Sequence, residues 1–352
     1  MEKNKRIGII GHFGGKENIA DGQTIKTKIL YEELNRAANW EIQKVDTYYK
    51  RKNPIKLLWS TMVCMLKNKD IIVLLSGNGM RTYFPVLYFF SKKFNKRIYH
   101  DVRGGNLDGY VDKYPEFKKY LNSFRVNWVE TEGLKKKLEQ YGIANCAVMP
   151  NFKRLQCIPA EELELTPKKI YRFCTFSRVM REKGIEVAIG AIQNINAEAG
   201  EIICELDIYG RIDEMYKPRF DEVIKAAGPA IKYCGTVQFD KSVEIIKNYY
   251  ALLFPTFWRG EGFPGTVIDA FSAGLPVIAT DWSCNSELIE NKITGIIYPN
   301  DEIKTLDEAI LWSIEETEAF TGMKKNCLKK AEEYQPEKHI EQIIEFISGF
   351  RS

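Results

Sequence analysis

The sequence predicts an α/β protein built of two successive doubly wound domains that face a cleft. Three observations lead there. The chain has 352 residues, too many for one ordinary α/β core and comfortable for two of about 150 each. Apolar strand-like runs alternate with amphipathic stretches, a pattern that implies a parallel sheet covered by helices. That alternation stops at a proline-rich break and then restarts.

In the first half, strands are predicted over 6–10, 40–45, 71–75, 97–101, 126–130 and 145–149. Helices are predicted over 22–36, 55–68, 82–94, 114–124 and 131–141. Pro150, Asn151, Pro159 and Pro167 mark a stretch with no clear period, and the inter-domain linker is placed at 151–168. Strands resume over 170–177, 203–209, 231–234, 251–254, 276–279 and 295–298, and the chain is helical from 303 onward. Domains are therefore expected over 1–150 and 169–334, and a last helix over 335–352 is expected to pack on the first domain. Ligands of such sheets bind at the carboxyl ends of strands, near helix N-termini.

Hydrophobic residues make up 45% and charged residues 28%, an ordinary globular composition. The 8 cysteines include no C-x-x-C spacing and read as small buried hydrophobes in a reducing compartment. The 3 histidines, His12, His100 and His339, are not spaced as metal ligands. No apolar signal region follows Met1, and the apolar stretch 71–91 is broken by Gly77-Asn78-Gly79, Arg81 and Pro85. A strand, a turn and a helix are expected there, in a cytoplasmic protein that is soluble or peripheral to the membrane. Residues 1–150 hold 27 Lys+Arg against 15 Asp+Glu, a balance of +12, and the remainder holds 24 against 32, a balance of −8. Such asymmetry points to different partners for the two halves.

The segment from Phe254 to Ala270 carries the densest chemistry. A strand ends at Phe254, a glycine-rich turn follows, and a helix is expected from near Pro264, since proline suits a first helical turn. Gly260, Gly262 and Gly265 let backbone amides approach a ligand, and amides at a helix N-terminus attract phosphate or sugar oxygens. Glu261 can accept bonds from sugar hydroxyls. Asp269, about one turn into the helix, is placed to hold a ribose diol. The plainer alternative is a strand–turn–helix with a solvated Glu and a buried capping Asp. A second segment, Ser177 to Gly184, follows the first strand of the restarted pattern. Its Arg178 and Lys183 can neutralise a diphosphate leaving group; alone, such a pair is more often plain loop surface.

Together these residues resemble the family 4 glycosyltransferases, over roughly residues 168–300. The matching motifs are Arg178 to Gly184, Glu261-Gly262-Phe263 with Asp269, and Gly274-Leu275-Pro276-Val277-Ile278. Strand–glycine turns at Tyr209-Gly210-Arg211 and Cys234-Gly235-Thr236-Val237 match as well. The resemblance implies the GT-B fold of two Rossmann-like domains. It implies a retaining transfer from a UDP- or GDP-sugar to a glycan or lipid-linked acceptor, in capsule, exopolysaccharide or similar polysaccharide synthesis. Arg178 and Lys183 would bind the diphosphate and Glu261 the donor sugar. Gly210, Gly235, Val237, Gly262, Phe263, Pro264 and Thr266 would line the donor site. Asp269 stands where the family has a second glutamate, one methylene longer. In the first half, Gly14 and Gly15 would approach the donor phosphate. His100 would be the active-site histidine, with a satisfied core histidine as the alternative, and Asp101 and Arg103 would orient the acceptor.

The chain has no D-x-D, the motif that holds a metal against a diphosphate in transferases of the other common fold. No metal and no cofactor are expected, the nucleotide sugar being a co-substrate. Basic and aromatic residues mix from Lys50 to Lys67 and from Phe84 to Arg97, and Lys135-Lys136-Lys137 adds charge. The apolar residues there read as core-facing, while the summed charge suits an anionic membrane surface. No nucleic-acid module is visible. Two rival readings remain. One is a catalytically silent glycosyltransferase-like subunit, which Asp269 encourages. The other is a nicotinamide-dependent oxidoreductase, which lacks a G-x-G-x-x-G after the first strand.

Overall fold

A computed structural model describes residues 5–15, 22–102, 104–166, 168–238, 240–299 and 303–349. The chain forms two compact units, Met1–Arg154 with Gln335–Ser352, and Leu155–Tyr334.

The first unit holds six parallel strands: β1 Arg6–Gly11, β2 Glu41–Asp46, β3 Asp70–Val73, β4 Arg97–Asp101, β5 Val126–Val129 and β6 Cys146–Val148, in the order β2-β1-β3-β4-β5-β6. Buried runs such as Asp70–Val73 are what a sheet covered on both faces requires. One face packs Phe84, Leu87, Ile98 and Phe117. The other packs Leu30, Leu34, Tyr99 and Trp128 against Ile340, Ile343 and Ile347 of the helix Pro336–Ser348. That last helix is thus part of the first unit's core. Arg154 ties it to the helix Gly22–Ala37, with Nη2 2.7 Å from Glu33 and Nη1 2.6 Å from Glu337.

Two local expectations change. Gly77-Asn78-Gly79 is not a turn but the start of the helix Gly77–Phe94, with Ser76 at its N-cap. The stretch 114–124 is not one helix: Leu107–Lys113 and Phe117–Leu121 lie on either side of Pro115. Proline has no amide to continue an α-helical ladder, so the chain breaks there.

The second unit holds β7 Tyr171–Phe176, β8 Cys204–Tyr209, β9 Ile231–Gly235, β10 Ala251–Phe254, β11 Val277–Thr280 and β12 Gly295–Tyr298, all parallel, in the order β12-β11-β10-β7-β8-β9. The chain runs outward from β7 to β9 on one side and from β10 to β12 on the other. The order therefore reverses between β7 and β10, the place where open α/β sheets bind their ligands. Among the described residues, no helix is long and apolar enough to cross a membrane.

Candidate active site

The loops after β7 and β10 meet at this reversal, because their strands are neighbours. Phe257 N donates to Glu182 O at 2.9 Å. Gly184 has φ +69, and a Cβ there would lie 2.0 Å from the Pro255 carbonyl oxygen. Only glycine allows both that conformation and that approach. Gly210, at the end of β8, has φ +137 and would put a Cβ 1.7 Å from Ser177 O. Its amide donates to Gly235 O at 2.8 Å and its carbonyl accepts from Tyr233 Oη at 2.9 Å. Val179 N donates to Arg211 O at 2.9 Å. The strand-end loops thus form one stitched edge.

Lys183 and Glu261 sit at its centre, bonded Nζ to Oε2, with side chains only 10% and 6% exposed. Lys183 Nζ also lies 5.4 Å from the Phe254 ring centroid and 5.0 Å from that of Trp258, a favourable cation–π setting. Thr256 Oγ1 donates to the same Glu261 oxygen at 3.0 Å. Thr280 Oγ1, at the end of β11, donates to Thr256 O at 2.6 Å. The main chain is pinned too: Ser283 Oγ donates to Glu261 O at 2.8 Å and Cys284 Sγ to Gly262 O at 3.1 Å. The sequence assigns Lys183 to phosphate and Glu261 to sugar separately; here each also serves as the other's partner. Arg178 is different. It is 55% exposed with Asp213 3.8 Å away, so its charge faces solvent.

Pro264 is the N-cap of the helix Gly265–Ser272, not its first residue. The first amides of that helix, Gly265 and Thr266 among them, have no intrahelical acceptor. The Thr266 hydroxyl is enclosed without a hydrogen-bond partner. The Phe263 ring is buried edge-on against Tyr334, centroids 5.2 Å apart. Asp269 is only 4% exposed on a helix whose neighbours Ile268 and Ala270 are buried. Its burial is like that of Glu261, which is 5% exposed. Gly235 has open space where a Cβ would be, and Val237 is half-buried beside it. Burial pushes the neighbouring Cys234 thiol up, so it stays neutral at physiological pH.

In the first unit, Gly14 and Gly15 have φ +83 and +62. The loop they form already holds a carboxylate: Asp46 accepts from Phe13 N at 2.9 Å, Gly15 N at 2.8 Å and Tyr48 N at 2.9 Å. The sequence expects those amides to meet a phosphate. The His100 ring is in the core, Nδ1 3.1 Å from Asn127 Oδ1, edge-on to Phe84 and Phe124 at 5.1 and 5.9 Å. Asp101 ends β4 and is buried. Arg103 lies outside the described residues. Sequence reasoning missed Asp46, Thr256, Thr280 and Ser283. The available signal was position: each lies at or just past the carboxyl end of a strand in one of the two sheets.

Residues 170–316, which include all six strands of the second sheet, match the family model for glycosyl transferases group 1. This segment is a glycosyl transferases group 1 domain. The chain is 29% identical over 189 residues to the UDP-N-acetylglucosamine–peptide N-acetylglucosaminyltransferase GtfA subunit of Streptococcus agalactiae, a match covering 53% of this chain and 31% of that protein. It is 27% identical over 156 residues to the amylovoran biosynthesis glycosyltransferase AmsK of Erwinia amylovora, covering 42% and 37%. The chain thus spans about a third of the length of either relative. Anabaena HepE, solved with UDP and glucose, superposes with a TM-score of 0.72 at 13% identity, covering 98% of this chain and 100% of that one. That likeness shows the fold, GT-B.

Proposed function

We propose that the protein is a retaining, metal-independent glycosyltransferase working on the cytoplasmic side of the membrane. It moves a sugar from a UDP- or GDP-sugar to a glycan or lipid-linked acceptor in cell-surface polysaccharide synthesis. The observation that carries this reading is the Lys183–Glu261 pair at the sheet reversal, between solvent-facing Arg178 and the amides of the helix Gly265–Ser272. Lys183 and Thr256 both bond Glu261 Oε2, which leaves Oε1 to accept a sugar hydroxyl. Lys183 has two further N–H donors for the diphosphate, joined by Arg178 and the helix amides. As the C1–O bond to phosphate breaks, those donors stabilise the charge that develops there. The acceptor oxygen bonds C1 on the same face, and its proton passes to the leaving phosphate oxygen. The His100 ring is held in the core, against Asn127, Phe84 and Phe124. The names of the relatives support the substrate class: UDP with glucose in one, a UDP-sugar in another, a polysaccharide in the third.

A panel of nucleotide sugars incubated in EDTA tests this by donor hydrolysis and thermal shift. One donor should raise the melting temperature, and Glu261→Gln should slow turnover about a hundredfold. If no donor binds or reacts, and Glu261→Gln matches the parent, the reading fails. The shorter Asp269, where the resembled family has a glutamate, favours a second reading, a glycosyltransferase-like binding subunit. Donor binding without turnover in the same assay would select it.

A further inference from the structure

Residues 47–100 carry 11 Lys+Arg and one acid, Asp70. That acid is buried, paired with Arg97 at 2.6 Å and bonded by Tyr99 at 3.0 Å, so the surface of this segment is almost purely cationic. The helix Pro54–Lys67 within it is apolar on two sides. Leu57, Thr61, Cys64 and Met65 face the core. At 100° per residue, Ile55, Trp59 and Leu66 fall on the opposite side and Leu58 on the flank between, and Ile55, Leu58, Trp59 and Leu66 are 81%, 64%, 72% and 58% exposed. An apolar side of a helix is normally covered. The sequence reading places these residues in the core; the structure puts them in water.

The helix Gly77–Phe94, tied to the same region, exposes apolar side chains as well. Thr61 Oγ1 lies 3.2 Å from Tyr83 Oη, and Lys96 Nζ donates to Leu66 O at 2.9 Å. On the helix Gly77–Phe94, Phe89 and Phe94 are 54% and 48% exposed, their rings 5.9 Å apart. Arg51, Lys52, Lys56, Lys67, Lys92 and Lys93 are exposed around these side chains.

We propose that this face of the first unit docks on an anionic lipid bilayer. Apolar anchors would enter the headgroup boundary while the surrounding cations pair with lipid phosphates. A protein partner fits less well, because lysine is depleted from protein interfaces and abundant here. The proposal stands apart from the transferase reading, since vesicle binding is read without any donor.

The test is co-sedimentation of the full chain with phosphatidylcholine vesicles, with and without phosphatidylglycerol. The protein should partition onto the anionic vesicles, release with added salt, and ignore phosphatidylcholine alone. Lys52→Gln and Lys56→Gln should each lower partitioning roughly fivefold. Leu58→Ser with Trp59→Ser should abolish it. These side chains are exposed, so all variants should melt like the parent, and donor hydrolysis should be unchanged. Absence of partitioning, equal partitioning of parent and variants, or a lipid-free dimer that the Leu58/Trp59 variant dissolves would each overturn the proposal.

Discussion

Replacing Lys183 by Met removes the ammonium and keeps most of the stem packed on Phe254 and Trp258. Glu261, with a side chain 6% exposed, would then keep only the Thr256 hydroxyl at 3.0 Å. Removing one member of a buried ion pair costs about 3–5 kcal/mol. The surviving hydrogen bond to a charged group is worth about 1.5–3 kcal/mol and is not lost, so the expected cost is at the low end, about 3 kcal/mol. For a unit the size of Leu155–Tyr334, that lowers the melting temperature by roughly 6–12 °C. Adding Glu261→Gln should recover part of the loss, with a coupling energy of about 1–3 kcal/mol in a double-mutant cycle. Urea denaturation of the parent, both single variants and the double variant gives all four values. A loss below about 1 kcal/mol for Lys183→Met, or additivity within about 0.5 kcal/mol, would show that the two groups do not act as one buried unit.

Three further outcomes are expected. Gly200 and Gly184 share nearly the same φ, +71 and +69, but nothing lies within 4 Å of a Cβ at Gly200, whereas Pro255 O would be 2.0 Å from one at Gly184. Gly200→Ala should therefore cost about 1 kcal/mol and Gly184→Ala at least twice that; equal melting temperatures would refute the close approach. Burial pushes the Cys64 and Cys204 thiols from 9.0 to about 11 and about 12. Their raised folded values mean that stability is fully present below pH 9 and falls as pH rises from there, while the lowered Lys324 offsets part of the loss. The unfolding free energy from urea denaturation under reducing conditions should fall by at least about 2–4 kcal/mol between pH 9 and pH 10.5, since the buried Cys146, Cys174 and Cys327 thiols are raised as well, and a flat profile would contradict the burial argument. Asp46→Ala removes the acceptor of three loop amides and should cost about 2 kcal/mol. Faster hydrogen exchange at Phe13 and Gly15 would show it, and unchanged exchange would sink it.

The strands were legible almost throughout, because buried parallel strands read as apolar runs: β4, β10 and β12 have the ends expected from the sequence. Boundaries failed where one residue decides the local geometry. A helix starts at Gly77, where the glycines seemed to forbid one, and Pro115 cuts one that periodicity seemed to continue. At the candidate site, residue types were legible but pairings were not. Lys183 and Glu261 are 78 residues apart, and nothing local says that their loops follow adjacent strands. Asp46 is the same case in the first sheet: its register partner is Gly11, which carries its carboxyl to the loop after β1. The stripe of Ile55, Leu58 and Trp59 reads as core-facing but is exposed, since apolar periodicity does not say whether an apolar face is covered.

The helix Pro336–Ser348 completes a core that began with β1, so the first unit is interrupted in sequence by the whole of the second. During synthesis, Leu155–Tyr334 can close its own core as soon as it emerges. The earlier unit must wait, with Leu30, Leu34 and Trp128 uncovered, until Ile340, Ile343 and Ile347 have been made. The order of maturation is then the reverse of the order of translation, against the usual N-terminal-first sequence. A ribosome stalled between the two would hold a finished second unit beside an unfinished first one, the species that chaperones would meet first.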